Sequence, residues 1–151
     1  MQKITTFLMF DGKTDEAVHF YTALFPDSEI VESSTGPDGK MISAVFRLAG
    51  QEFMAFDGGP YFSFSNGISL FVKCETQDEI DEYYEGLSEG GEQQPCGWVK
   101  DKFGVRWQII PPILGDLIRD PDRAKAERAM QAMLKMHKID LEGLKRAHAG
   151  E

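Results

Sequence analysis

What the chain lacks narrows the field. It carries two cysteines in 151 residues, Cys74 and Cys96, and neither belongs to a CxxC pair. That count excludes a disulfide framework and a structural zinc site, both of which need several thiols at set spacings. Reduced thiols packed as small apolar residues are expected instead. No apolar run approaches the ~18 residues of a membrane span, and the start "MQKITTFLMFDG" has no charged, apolar and cleavage zones of a secretory leader. The expectation is a cytoplasmic protein with no membrane partner. Positive charge is also scarce, with 16 Lys and Arg against 25 Asp and Glu. From Ile113 onward eight basic residues face seven acidic ones, so the negative excess sits on the first 112 residues. Nucleic-acid binding, which neutralises phosphates with Lys and Arg, is excluded. No glycine-rich loop joins a strand to a helix in the manner of a nucleotide or S-adenosylmethionine site, since "DGGP" is short and precedes no helical pattern.

What is present is an ordinary globular composition, 42% hydrophobic and 27% charged. A chain of this length buries roughly two thirds of its surface in one domain. "KITTFLMF" over residues 3–10 reads as a strand ending at the turn pair Asp11-Gly12. Thr14 offers a helix-capping oxygen, Asp15 and Glu16 put negative charge in the first turn, and Ala17, Phe20, Tyr21, Leu24 and Phe25 recur at helical spacing up to Pro26. Extended segments follow at 29–35, 41–49 and 51–56, the last two forming a hairpin about Ala49-Gly50. "ISLFVKC" then opens a second round. "TQDE" over Thr76–Glu79 is a capping box, Ile80, Tyr83, Tyr84 and Leu87 form an apolar stripe, and Gly90-Gly91 ends the helix. "QPCGWVKD" and "VRWQIIP" read as hairpin strands about "DKFG". Laying Thr14 on Thr76 also aligns Val18 with Ile80, Tyr21 with Tyr83 and Phe25 with Leu87, an internal repeat near 62 residues. Residues 113–151 carry no strand signal. They read as a helical tail broken at Asp120-Pro121, with Ala126, Met130, Met133 and Leu134 on one apolar face that covers either its own domain or a second subunit.

The stretches "LMFDGKTDEAVHFYTALFP" and "DKFGVRWQIIP", set in two strand-helix-strands halves, resemble the vicinal oxygen chelate superfamily of glyoxalases, dioxygenases and antibiotic-resistance proteins. "GGPYFSF", "CGWVKDKFG" and "AMLKMHKIDL" are similar to its PhnB-like branch, a group that carries the label demethylubiquinone methyltransferase. The resemblance implies an α+β fold of paired βαβββ modules forming a cupped mixed sheet, with a C-terminal helical tail, in a homodimer. Residues 1–112 would be the domain, with modules at 1–58 and 67–112, and 113–151 an extension packed on the domain or on a dimer partner. It also implies a divalent metal held by His, Glu or Gln from the first and last strands of each module.

The positions of that pattern hold the wrong residues. Thr5 or Thr6 stands on the first strand, Glu52 with Met54 or Phe56 on the fourth, and Gly67, Ile68 or Ser69 on the fifth, which leaves Gln108 alone on the last strand. Neutral hydroxyls and one amide do not compete for such an ion, and His19, His137 and His148 fall on helices. No metal and no cofactor are therefore expected. The candidate ligand pocket comprises Thr6, Phe56, Ser69, Phe71, Cys96, Trp98 and Gln108. Gln108 is either a hydrogen-bonding anchor for a ligand or a buried amide satisfied by backbone. Cys96 is either core or a nucleophile, the latter requiring a base that the sequence does not place beside it. Lys100, Lys102 and Arg106 are either attractors of an anion or solvated strand ends. The function expected is binding of a small hydrophobic or aromatic molecule. The alternatives are an enzyme of the superfamily, the methyl transfer of the family label, and an interaction module that docks through its tail.

Overall fold

Alternation in "TFLMF" builds strand β1, Thr6–Phe10: Leu8 and Phe10 are buried while Phe7 is 49% exposed, the mark of a strand with one covered face. The computed structural model describes residues 2–151 and divides the chain into two units, Met1–Ser63 and Phe64–Glu151. In the first, β1 leads to helix α1 (Thr14–Leu24) and then to β2 (Glu29–Thr35), β3 (Met41–Leu48) and β4 (Gln51–Asp57). The strands lie in the order β1-β4-β3-β2, with β1 parallel to β4 and the other pairs antiparallel. Ala49 and Gly50 both take left-handed backbone angles, φ 48° and 80°, as the two-residue β3–β4 turn requires.

Helix α1 covers one face of this sheet. Its Ala17, Val18 and Tyr21 are fully buried, against a face that carries Leu8, Phe10, Phe46, Phe53 and Ala55, where the rings of Phe46 and Phe53 stack at 5.6 Å. The start of α1 departs from expectation. Thr14 is the first helical residue and caps nothing; its amide (3.1 Å) and its hydroxyl both donate to Asp57 Oδ1 at the end of β4. The helix's unpaired amides thus meet a carboxylate from a distant strand, which stabilises the positive end of the helix dipole. Asp15 Oδ2 accepts the Met41 amide at 2.8 Å and so ties the helix to the head of β3.

The second unit repeats the plan: β5 (Leu70–Lys73), α2 (Gln77–Ser88), β6 (Glu92–Gln93), β7 (Trp98–Lys100) and β8 (Arg106–Ile110), in the order β5-β8-β7-β6 with β5 parallel to β8. The aligned pairs Val18 and Ile80, Tyr21 and Tyr83, Phe25 and Leu87 are all buried. Thr76 is the N-cap and accepts the Glu79 amide at 3.2 Å, while Glu79 Oε1 reaches back to the amide of Glu75, one residue further than the standard box. The expected strand over "QPCGWVKD" shortens to three residues, because Pro95–Gly97 form a 3-10 turn in which Cys96 and Gly97 sit at φ 63° and 82°. At the "DKFG" turn Asp101, 2% exposed, accepts the amides of Phe103 and Val105 at 2.9 and 3.0 Å through Oδ1 and the Trp107 indole at 2.9 Å through Oδ2.

Three helices complete this unit, α3 (Ile113–Ile118), α4 (Arg123–Leu134) and α5 (Leu141–Ala149). Asp122 caps α4 just past the expected break. The tail makes backbone and side-chain contacts with the second unit of its own chain. The Cys96 and Gly97 amides donate to the carbonyls of Met136 and His137, each at 2.8 Å. Gln77 of α2 bonds Ile139 O and Leu141 N at 3.0 and 2.8 Å. Ile139 and Leu144 are fully buried. On α4 the buried positions are Ala126 and Ala129, whereas Leu134 at the helix end is 52% exposed. Among the described residues, the architecture is α+β, with two four-stranded mixed sheets and five α-helices, and no helix is long and apolar enough to cross a membrane.

Candidate functional site

Each sheet has a face that its helix leaves uncovered, and the candidate side chains divide between those faces. In the second unit Gln108 lies in register with Phe71 on β5 and with Trp98 on β7. Residues paired across neighbouring strands project to the same side, so these three form a row opposite the buried Val99, Trp107 and Ile109. Gln108 Nε2 donates to Ser69 Oγ at 2.9 Å, and no other partner of this amide exists among the described residues. Its Oε1 is therefore open to a ligand donor. Ser69, Phe71, Trp98 and Gln108 are brought together, with Phe71 51% exposed and the others half-buried. Two residues along on the same face, Lys100 of β7 stands directly opposite Arg106 of β8.

In the first unit Phe56 lies on the uncovered face with Phe7, Val45 and Met54, around a concavity of about 310 Å³ whose polar rim includes Glu32, Ser34 and Ser43. The hydroxyls of Ser34 and Ser43 hydrogen-bond across β2 and β3. Thr6 is not there. It pairs in register with the buried Phe53, on the side of α1, and Phe7 takes the place expected of it. Leu8, Phe10, Phe7 and Met9 are all apolar, so β1 offers no polar alternation from which its phase could be read.

Cys96 projects from neither sheet; it belongs to the turn that receives the tail. The buried Cys74 thiol is pushed up to about 12 by desolvation, with Glu79 and Glu75 adding to the effect, which makes it inert as a nucleophile. The histidines lie elsewhere, His19 against the Asp15 carbonyl of its own helix, His137 exposed and His148 paired with Asp120 at 2.7 Å. The other displaced groups are structural. Burial lifts Tyr84 to about 12 while its hydroxyl donates to the Gln94 carbonyl, and Asp81 is held below its usual range by the Gln77 amide and then by Lys138, where the tail docks.

The divalent metal that the fold implies does not fit these residues. On the second sheet the donors at the first- and last-strand positions are a hydroxyl and an amide already bonded to each other. On the first sheet β1 and β4 present rings and a thioether, with Glu32 and the serine hydroxyls at the rim on β2 and β3. Among the described residues no three His, Cys, Asp or Glu side chains converge, and neutral groups of this kind do not displace water from a hard cation.

Residues 2–110 match the family model described as 3-demethylubiquinone-9 3-methyltransferase. The chain belongs to this PhnB-like family of the vicinal oxygen chelate superfamily. A PhnB protein from Bacillus cereus, described as a putative 3-demethylubiquinone-9 3-methyltransferase, is 44% identical over 71% of this chain and 97% of its own, with a TM-score of 0.63. A protein from Pseudomonas aeruginosa is 23% identical over 71% and 95% at a TM-score of 0.58. A mutant of the fosfomycin resistance protein FosX from Listeria monocytogenes, complexed with Mn(II), is 16% identical over 71% and 90% at 0.51. The last two likenesses concern the fold alone. No curated protein matches the chain. Helices α3–α5 of this PhnB-like protein lie beyond the residues that the family model matches.

Proposed function

We propose that this PhnB-like protein binds a small hydrophobic or aromatic molecule without the aid of a metal. The observation that carries the reading is the apolar exposure of the uncovered sheet faces: Phe7, Met54, Phe56 and Phe71 are 49, 36, 40 and 51% exposed. Large side chains left in water on a sheet face, with a few convergent polar groups beside them, are the composition of a ligand site. Gln108, held by Ser69, supplies the fixed polar group on the second sheet.

The family's label names a methyl transfer, and the topology does not favour it. Each module's helix joins strands at opposite edges of its sheet, β1 to β2 and β5 to β6, rather than neighbouring parallel strands as in a nucleotide-binding crossover. The test is a thermal-shift series on the whole protein with naphthalenes, quinones and S-adenosylmethionine. A ligand that prefers the native state raises the melting temperature. Aromatic compounds should do so, and Phe71→Ala should weaken their effect while S-adenosylmethionine gives none. Stabilisation by S-adenosylmethionine and by no aromatic compound would reverse the proposal.

A further inference from the structure

The second sheet carries a charge arrangement that packing does not explain. In a chain of net charge −9 several cations find a carboxylate: Lys13 with Glu16 at 3.8 Å, Arg119 with Asp116 at 3.2 Å, Lys145 with Glu142 at 3.5 Å, Lys138 with Asp81 and Glu85, and Arg47 with Glu29. Lys100 and Arg106 do not. They face each other as an antiparallel pair on the uncovered side, both half-buried, and neither forms an ion pair among the described residues. Like charges directly opposite on paired strands repel and destabilise the sheet. Glu92, across β6 from Lys100, is exposed to solvent and forms no ion pair with it. The next row on the same face is the aromatic one, with Trp98 beside Lys100 on β7 and Gln108 beside Arg106 on β8.

We propose that Lys100 and Arg106 receive the negative group of an aromatic acid whose ring lies on Phe71 and Trp98. This rests on the reading of the second sheet's open face as a ligand site and names the class of molecule it takes. A guanidinium and an ammonium on adjacent strands suit a carboxylate, which can accept from both at once. Its charge removes the repulsion that the empty face carries. An anion approaching this acidic protein meets net repulsion from a distance, so selectivity arises at contact, where the two cations outweigh Glu92 across β6 and the farther carboxylates are screened over a Debye length of ~10 Å.

The probes are naphthoate and naphthalenemethanol, one ring system with and without the charge, titrated calorimetrically into the full chain. Naphthoate should bind on the order of tenfold tighter, as charge-assisted hydrogen bonds imply, and the difference should shrink as salt is added. Arg106→Gln and Lys100→Gln should each remove most of the preference. Lys135→Gln just past α4, the same change in charge elsewhere, should keep it. Arg106→Gln should melt at or above the native temperature, because a repulsion has gone, and this shows that a lost preference is not lost folding. Equal affinity for the two probes would overturn the anion assignment and leave the aromatic site standing. A preference that survives both substitutions would overturn it as well. Failure of both probes to bind would sink both readings together.

Discussion

Asp101 offers the sharpest test of how the second sheet is held. Its carboxylate is buried and satisfies three donors, the Phe103 and Val105 amides and the Trp107 indole, at 2.9–3.0 Å. Asp101→Ala leaves all three without that acceptor. An unsatisfied buried donor costs about 1–3 kcal/mol. Phe103 and Gly104 are only half-buried, so water relieves part of the loss at the turn, and the total should be about 3–5 kcal/mol by the same accounting. At about 2–4 °C per kcal/mol for a chain of this size, the melting temperature should fall by roughly 10 °C. Asp101→Asn separates the contributions. It keeps an oxygen for the two amides but turns an NH₂ toward the indole N–H, so one contact in three is lost, at about 1–3 kcal/mol. Adding Trp107→Phe to that variant removes the opposed donor, and the double change should cost less than the sum of the two. Urea unfolding followed by circular dichroism measures each value without relying on the tryptophans. An Asp101→Ala protein within about 0.5 kcal/mol of the native one, or an Asn variant as damaged as the Ala variant, would refute the reasoning.

Three further outcomes follow from the geometry. Gly97→Ala places a methyl 2.7 Å from Ile110 Cδ1 and 3.0 Å from both Ile109 O and Ile139 Cγ1, at φ 82°; chemical denaturation should show a loss of about 1–3 kcal/mol, and unchanged stability would mean that the tail does not seat there. Native protein at neutral pH should give one rapidly labelled thiol, because burial holds Cys74 protonated up to about 12, and equal labelling rates of both cysteines would contradict its seat in the core. Asp81 is depressed below its usual range, chiefly by the Gln77 amide. A depressed carboxylate contributes stability that is complete above about pH 4 and is lost as pH falls through the lower native value, so Asp81→Asn should flatten that acid limb in a circular-dichroism titration, and identical limbs would discount the network.

The sequence is most legible where a local signal and the global fold agree. The Ala49-Gly50 turn, the Thr76 cap and the stripes on α1 and α2 are short-range patterns whose partners lie within a few residues, so they can be read directly. Thr14 could not be, because its acceptor, Asp57, arrives from a strand far along the chain. Asp101 looked like a turn residue and is one, yet the indole that it also holds depends on the β7–β8 register. The face on which Thr6 lies is hidden in the sequence because β1 is apolar on both sides, and the turn at Cys96 is hidden because nothing local announces a left-handed backbone at a residue with a Cβ. The row of Phe71, Trp98 and Gln108 was legible as candidates. The opposition of Lys100 and Arg106 was not, since it is a property of two strands and not of either.

The attachment of α3–α5 has a consequence for how this protein can be altered. At the Cys96–Gly97 turn the tail is gripped by its main chain, through carbonyls that every residue type possesses. The exposed imidazole of His137 is therefore replaceable without loosening the clasp, whereas the receiving glycine is not. A label or dye carried at position 137 would sit at the junction of tail and sheet and report their separation without itself prising them apart.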